Sequence, residues 1–248
     1  MELIQIVLLV GVGVVAGILN VLAGGGSLLT LPVLIFMGLP ASVANGTNRI
    51  AVLCQNVVAV SSFKSKGVFP ARLALLCSVP ALLGSILGAQ LAVDISDQLF
   101  RQLLGAIMIG VLILMAIDPS KRFRFHEQHM TPLRTAALVI GFFCIGIYGG
   151  FIQAGVGLIM IPALLLMGLD LVRINAVKVF VILFFTVTAL AVFIWHGQID
   201  WTLGIALALG NSLGGWIGTH LAVKKGHDWI RKVVFAVVTL FAVKLIWF

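Results

Sequence analysis

Cationic and amide side chains lie inside apolar stretches of this chain, at spacings that place them along one side of a helix. In the first half, spacings of three, four and seven residues join Asn45, Asn48, Arg49, Gln55 and Asn56. The corresponding residues of the second half are Asn175, Lys178 and Thr186. Amide and cationic groups can replace water around an anion, so both stripes are candidates for an anion-binding site.

Two glycine-rich turns precede the stripes and could add backbone donors to the same site. They consist of Gly24, Gly25, Gly26 and Ser27 in the first half, and of Gln153, Ala154, Gly155, Val156 and Gly157 in the second. The first turn of a helix exposes N–H groups at the positive end of its dipole, and glycine lets an anion approach them closely. Glycine-rich breaks also occur at plain kinks, which is the structural alternative for both turns.

The composition identifies the medium in which these groups operate. Hydrophobic residues make up 61% of the 248 residues and charged residues only 10%, far from the balance of a soluble domain. We therefore expect an integral membrane protein in contact with lipid. Met1 to Leu22 contains Glu2 and no basic region, so it is interpreted as a retained first helix. The net charge of +8 comes from short loops beside apolar spans, which favours membrane topology over nucleic-acid binding.

Polar groups at membrane depth cost free energy unless they are paired, hydrated or bound to a ligand. The predicted substrate-binding residues are Gly24, Gly25, Gly26, Ser27, Asn45, Asn48, Arg49, Gln153, Gly155, Gly157, Asn175 and Lys178. Two alternatives stay open. Arg49 and Lys178 could extend to lipid headgroups on their own sides, and the asparagines could serve only hydrogen bonds between helices.

Acidic residues and cysteines narrow the chemistry further. All eight acids lie at segment ends or in loops: Glu2, Asp94, Asp97, Asp118, Glu127, Asp170, Asp200 and Asp228. A carboxylate-based sodium site, a buried proton relay and a site for cations are therefore not expected. The cysteines Cys54, Cys77 and Cys144 fall inside apolar stretches without metal-ligand spacing, so we expect no metal, cofactor or disulfide. No sequence motif for a nucleophilic or metal-dependent enzyme is present.

Each half of the chain contains five apolar stretches that must position these groups. They cover about 3–22, 27–38, 43–63, 70–93 and 99–117, and then about 133–152, 157–168, 173–195, 201–222 and 230–247. The second stretch of each half has about 12 residues, or about 18 Å of helix, which is too short to cross a bilayer. We predict a broken or re-entrant helix at both places.

The two halves are copies of one unit, offset by 130 positions without a gap. Gly25 aligns with Gly155, Pro32 with Pro162, and Asn45 with Asn175; further identities continue to Arg101 and Arg231. We predict an all-α membrane fold of two inverted repeats, with the first repeat at 1–118, a cytoplasmic linker at 119–132 and the second repeat at 133–248. Such duplication is typical of transporters whose substrate site lies between the copies.

Basic residues predict which side of the membrane each loop faces. With the 118–132 loop inside, twelve of the sixteen basic residues fall on the cytoplasmic side: Lys64, Lys66, Arg72, Lys121, Arg122, Arg124, Arg134, Arg173, Lys224, Lys225, Arg231 and Lys232. The turns 94–97 and 196–200 and both termini then face outside. Because each unit has an odd number of segments, the copies insert with opposite orientations.

Four pairs of glycines four residues apart predict close helix contacts: Gly13 and Gly17, Gly84 and Gly88, Gly146 and Gly150, and Gly214 and Gly218. Such pairs let two backbones approach where lipid supplies no hydrophobic drive. We expect packing within the fold, with a homodimer interface as the alternative.

The chain resembles the TauE/SafE family of membrane permeases at Gly17 to Pro32, at Gly146 to Pro162 and at Gly197-Gln198-Ile199-Asp200-Trp201 followed by Gly214, Gly218, Leu221 and Ala222. The resemblance extends over nearly the whole chain. It implies transport of small sulfur-containing anions, such as sulfite or organosulfonates, often as export across the bacterial or archaeal cytoplasmic membrane. Ala154 and Val156 interrupt the usual glycine run of the second half, and Lys178 stands where small or hydroxyl residues are more usual.

The sequence therefore predicts a permease that binds a small anion between two inverted halves and alternates access by rocking one bundle against the other. The alternative from another class is a membrane-embedded enzyme acting on an anionic lipid or a small acid. A non-transporting membrane scaffold would leave the intramembrane polar stripes without an explanation.

Overall fold

The structure is a computed structural model that describes residues 3–117 and 131–224, all of whose regular elements are helices. The nine helices in these two ranges are α1 (Leu3–Ala23), α2 (Ser27–Phe36), α3 (Ala41–Ser65), α4 (Ala71–Val93), α5 (Asp97–Ile117), α6 (Pro132–Phe151), α7 (Val156–Leu165), α8 (Leu171–Trp195) and α9 (Trp201–Lys224). By length and composition α1, α4, α6 and α8 can each cross a membrane. The predicted stretch at 230–247 and most of the predicted linker lie outside the described residues.

The helix bounds follow the offset of 130 residues seen in the sequence. α3 and α8 correspond residue for residue, and the two short helices α2 and α7 have ten residues each. Local signals explain several bounds: Asp170 caps α8 by accepting hydrogen bonds from two backbone N–H groups, and Thr131 caps α6. Gly38 and Gly168, both at positive φ, follow the two short helices. The prediction of a short second segment in each half is confirmed.

Six of the seven long helices in the described residues, all except α5, form two bundles of three, and each bundle combines helices from both halves of the chain. In the first, α1 and α3 pack against α9; in the second, α6 and α8 pack against α4. Within each bundle the helices run in the same direction. For example, a Cβ at Gly13 would approach Leu207 and one at Gly17 would approach Asn211, so residue numbers rise together along α1 and α9.

The other pairs inside the bundles show the same parallel arrangement. Thr47 accepts from the Asp200 backbone near the start of α9, and Thr219 donates to Ser62 near its end. In the second bundle, Ser85 donates to the Phe185 carbonyl, and Gln198, just after α8, donates to the Val93 carbonyl at the end of α4.

Between the bundles, α3 and α8 run in opposite directions. The Arg49 guanidinium lies over the Phe193 ring, whereas Phe63, near the end of α3, packs with Ala176 and Val179, near the start of α8. Because α1, α3 and α9 run in the same direction, the starts of α1 and α3 lie at the same end of the molecule. The chain between them, which includes α2, must return to that end.

The four glycine pairs all lie where two helices of one bundle pack closely. A Cβ at Gly88 would lie 1.9 Å from the Ile147 carbonyl oxygen, and one at Gly214 would lie 2.1 Å from the Val14 carbonyl oxygen. Because no side chain fits at such distances, these helices can approach only through glycine. The prediction that the pairs serve packing within the fold is confirmed.

Candidate functional site

Arg49, on α3, is fully buried and binds the end of α6. Its Nη1 donates to the Gly149 carbonyl at 3.2 Å, and its Nη2 donates to the Gly150 carbonyl and, at 3.4 Å, to the Asn45 side chain. Asn45 itself donates to the Phe151 carbonyl at 2.7 Å. The guanidinium carbon lies 4.7 Å from the centre of the Phe193 ring, a distance at which the ring attracts a cation.

Lys178, on α8, is also fully buried and binds the end of α1. Its ammonium donates to the Val21 carbonyl at 2.8 Å and to the Asn175 side chain at 2.7 Å. The arrangement has the same plan as the one at Arg49. In each case, a cation from one half of the chain reaches the last turn of a helix from the other half.

The reason for this plan is that α1 and α6 both end inside the protein. The last carbonyls of a helix have no partner within the helix and carry the negative end of its dipole. A buried cation donates hydrogen bonds to these carbonyls, and its positive charge offsets the negative end of the dipole. Since neither side chain reaches the surface, the alternative that Arg49 and Lys178 extend to lipid headgroups is wrong.

Neither cation has a carboxylate partner within the described part of the chain. Arg49 and Lys178 bond only to backbone carbonyls and to amide oxygens. The described acids, Asp94, Asp97, Asp170 and Asp200, all lie at helix ends or in turns. When both groups are protonated, the interior therefore holds two positive charges that only dipoles offset.

The two glycine turns meet in the interior, between the two cations. A Cβ at Gly24 would lie 2.3 Å from the Gly157 Cα, and one at Gly157 would lie 2.4 Å from the Gly24 Cα and 2.9 Å from the Lys178 Cδ. Any side chain at either glycine would separate the turns. The sequence predicted each turn, but not their contact with each other.

Ser27 and Asn48 form a further cluster where α2 begins. Asn48 donates to Ser27 at 3.1 Å, and Thr30 donates to Asn48 at 2.6 Å; all three residues are buried. On α3, Asn48 directly precedes Arg49, so this cluster connects the first glycine turn to the Arg49 position. Thr30 was not among the predicted residues, although a polar residue within an apolar helix is a signal that the sequence contains.

Gln153 takes an unusual backbone conformation in the second turn. Its φ is +60°, in the left-handed region, and its Nε2 donates to Thr186 at 2.8 Å. Its Oε1 is buried, and in the part of the chain that the structure describes neither this atom nor the Nε of Arg49 has a hydrogen-bond partner. Gly155, two residues later, has a φ of +68°.

A second group of buried amides lies between α1, α3 and α9. Asn20 and Asn211 both donate to the Gln55 side chain, at 3.1 and 3.4 Å, and Gln55 donates to Asn56 at 3.5 Å. Within residues 3–117 and 131–224, the Asn56 side-chain nitrogen has no hydrogen-bond partner. Asn20 is adjacent to Val21, the residue that Lys178 binds. Asn20 and Asn211 were missed because they belong to helices outside the two stripes.

The predicted residues thus occupy separate small clusters that adjoin one another. Arg49 and Asn45 lie at the end of α6, Lys178 and Asn175 at the end of α1, and the glycine turns between them. The described residues contain no group of three histidines, cysteines or acids that could hold a metal ion. Cys54, Cys77 and Cys144 are free thiols.

Comparison with known proteins gives one family over nearly the whole chain. The family described as "Sulfite exporter TauE/SafE" matches residues 9–245. A "Probable membrane transporter protein" of Haemophilus influenzae is 28% identical over 237 residues, which cover 95% of this chain and 92% of that protein. The corresponding protein YfcA of Escherichia coli K12 is 27% identical over 237 residues, or 95% and 87% of the two chains. YunE of Bacillus subtilis is 23% identical over 266 residues, or 97% of each chain. No solved structure gives a significant match.

Proposed function

This chain belongs to the TauE/SafE family of membrane transporters, and from that premise we propose that it carries a small sulfur-containing anion, such as sulfite or an organosulfonate. The anion binds between two inverted halves, and net transport is export across the bacterial or archaeal cytoplasmic membrane. The bound anion contacts Lys178, Asn175, Ser27 and the backbone of the two glycine turns.

The observation that carries this proposal is the pair of buried cations without a described carboxylate partner. Two uncompensated charges inside a membrane protein are costly, and a mobile anion placed between them lowers that cost. The glycine turns beside Lys178 supply backbone N–H groups and leave no side chain in the way. The same arrangement disfavours a cationic substrate.

The inverted repeat is supported by the directions of the helices. α3 and its counterpart α8 run in opposite directions, and each bundle pairs helices of one half with a helix of the other. Alternating access then consists of rocking one bundle against the other, with the anion near the contact of Gly24 with Gly157.

The proposed orientation places one end of the bundles in the cytoplasm. The end of α3, the starts of α4, α6 and α8 and the end of α9 lie on one side, with Lys64, Lys66, Arg72, Arg134, Arg173 and Lys224. Asp94, Asp97 and Asp200 lie at the other end. An excess of Lys and Arg selects the cytoplasmic side.

Labelling of single cysteines tests this orientation. In a variant without the three native cysteines, Lys64→Cys should resist an impermeant thiol reagent added to intact cells, and Asp94→Cys should react readily. Both residues are exposed, so access to the reagent alone separates them. Rapid labelling of Lys64→Cys with protection of Asp94→Cys would reverse the orientation without excluding transport.

The decisive experiment measures flux of labelled sulfite and of a small organosulfonate in proteoliposomes. Wild-type protein should accelerate anion flux, and Lys178→Met should abolish it while the protein still inserts. Lys64→Met removes the same charge from an exposed position and should leave flux unchanged. The carried anion should be recovered unaltered, whereas the enzyme alternative requires a chemical product. Equal flux in the wild type and in Lys178→Met would contradict the proposed site.

A further inference from the structure

A groove opens towards the lipid between the second half of α3 and the end of α9. Its volume is about 490 Å³, and it is lined by Val57, Val58, Ser61, Ser62, Ser65, Lys66, Trp216 and His220. Val57 and Trp216 are half exposed and form apolar walls at the end of the groove that lies nearer the middle of the two helices. The serines and Lys66 follow one and two turns later along α3, towards the end of the helix. The groove therefore changes from apolar to hydroxyl-rich and basic along its length.

Lys66 lies at the polar end of this groove, and Lys224, the last residue of α9, follows the turn at which Thr219 bonds to Ser62 of the groove. Lys66 follows the last residue of α3. Burial is the main cause that lowers the pKa of Lys66, and the positive charge of Lys224 is the second. The Lys66 Nζ has no hydrogen-bond partner among the described residues. Among the described residues at this end of the molecule, the one acid is Asp170, which pairs with Arg173. Nothing in the described part of the chain compensates the two lysines, so an anion from outside the chain is the matching partner.

The equivalent position in the other half of the repeat has different chemistry. There α8 replaces α3, and α4 replaces α9. Ala191, Val192 and Trp195 stand at the positions of the three serines, and Asp94 stands at the position of Lys224. The shared fold therefore produces a helix crossing at both places, but hydroxyl groups paired with two lysines at only one of them.

We propose that this groove binds one anionic phospholipid of the leaflet on the lysine side, with its phosphate at Lys66, Lys224 and Ser65 and an acyl chain along Val57 and Trp216. A lipid fits both ends of the groove, because it combines a phosphate with a long apolar chain. The site is separate from the buried cations and does not depend on the substrate that the protein carries.

Native mass spectrometry of the full chain tests this site with phosphatidylglycerol and phosphatidylcholine of identical acyl chains. We expect one phosphatidylglycerol to be retained in preference to phosphatidylcholine. Each lysine near a phosphate contributes about fivefold, so the double variant Lys66→Gln and Lys224→Gln should reduce the preference by about 25-fold. Ser61→Trp fills the groove but keeps both lysines, and it should also release the lipid.

Lys64→Gln is the matched control, since Lys64 is exposed on the same turn and does not line the groove. Its preference for phosphatidylglycerol should equal that of the wild type. Equal losses in Lys64→Gln and in the double variant would show diffuse charge attraction and would overturn the site. Displacement of the lipid by millimolar glycerol phosphate would also overturn it, in favour of a site for a free anion. A dimer that excludes lipid from the groove would assign this surface to a second copy instead.

Discussion

The ends of α1 and α6 are two places where a long helix stops inside the protein, and their exposed carbonyls are satisfied in different ways. At the end of α6, Arg49 binds two successive carbonyls and Asn45 binds the next. At the end of α1, Lys178 binds one carbonyl and shares its remaining hydrogen bonding with Asn175 on its own helix. The carbonyls at the end of α6 thus bond to a planar guanidinium, whereas the carbonyl at the end of α1 bonds to a compact ammonium.

This difference indicates that the two cations have different roles. A guanidinium that bonds to several fixed carbonyls and lies against an aromatic ring is held in one geometry. The Lys178 ammonium can exchange its Asn175 partner for a ligand and still bond to the Val21 carbonyl at the end of α1. We therefore interpret Arg49 as a structural clamp and Lys178 as the anion ligand, instead of the symmetric roles that the sequence suggests.

The turns that follow the two helix ends differ as well. The first has one residue in the left-handed region, Gly24, whereas the second has two, Gln153 and Gly155. The second turn therefore contains a non-glycine residue at a φ that costs about 1–2 kcal/mol. The Gln153 side chain offsets part of this cost through its hydrogen bond to Thr186.

The largest expected effect comes from Arg49→Met, which leaves two buried carbonyls of α6 without partners. Each unsatisfied group costs about 1–3 kcal/mol, so unfolding should become easier by about 4 kcal/mol. Thermal unfolding in detergent measures the loss. Arg49→Lys keeps the charge but replaces the planar fork by a single nitrogen, so it should recover only part of the stability. If Arg49→Met were as stable as the wild type, Arg49 would not be a structural clamp, and the proposed difference between its role and that of Lys178 would be wrong.

The contact between the turns is tested next by Gly24→Ala. The added Cβ meets the Gly157 backbone and also faces a φ of +77°, so we expect a loss of about 3 kcal/mol together with loss of transport. Gly38→Ala is the matched control, because Gly38 has a φ of +97° with no atom within 4 Å of an added Cβ. Its free energy of unfolding should fall only by the cost of placing alanine at a positive φ, about 1 kcal/mol. Equal losses in the two variants would show that the contact is not needed.

Lys178→Met should have a smaller effect on folding and a large effect on binding. One carbonyl of α1 loses its partner, so the free energy of unfolding should fall by about 1–2 kcal/mol. Anion binding should weaken by about 1–3 kcal/mol, the scale of a charge-assisted hydrogen bond. The check is the rise in melting temperature that sulfite produces in the wild type and fails to produce in the variant. An unchanged rise would assign the anion to backbone and amide groups alone.

The smallest change is expected for Gln153→Gly. Glycine relieves the positive φ by about 1 kcal/mol, while the lost hydrogen bond to Thr186 costs about the same. Stability should therefore stay within about 1 kcal/mol of the wild type. Thr186→Val removes the same hydrogen bond without relieving the backbone, so thermal unfolding should show it to be the less stable variant. The opposite order would mean that the second turn is not strained at Gln153.

Much of the fold could be predicted from the sequence, because local signals carry it. The offset of 130 residues, the short second helices and the close-packing glycines all follow from spacing and residue type. Arg49, Lys178, Asn45 and Asn175 were recognised because polar residues are rare within apolar segments. The predicted ends of the long helices differ from those of the structure by a few residues at most, since caps such as Asp170 lie just outside the apolar run.

The sequence by itself determined that this is a helical membrane protein whose two halves align at an offset of 130 residues, with a cation in each half and a glycine break before it. Only the tertiary structure decided that α1 pairs with α9, that Arg49 and Lys178 each cap a helix of the other half, and that Gly24 touches Gly157. The physical reason is that lipid and protein interior are equally apolar, so hydrophobic patterning does not specify which helix faces which. The partner of a buried cation depends on where another helix ends in space, and that position is fixed by packing.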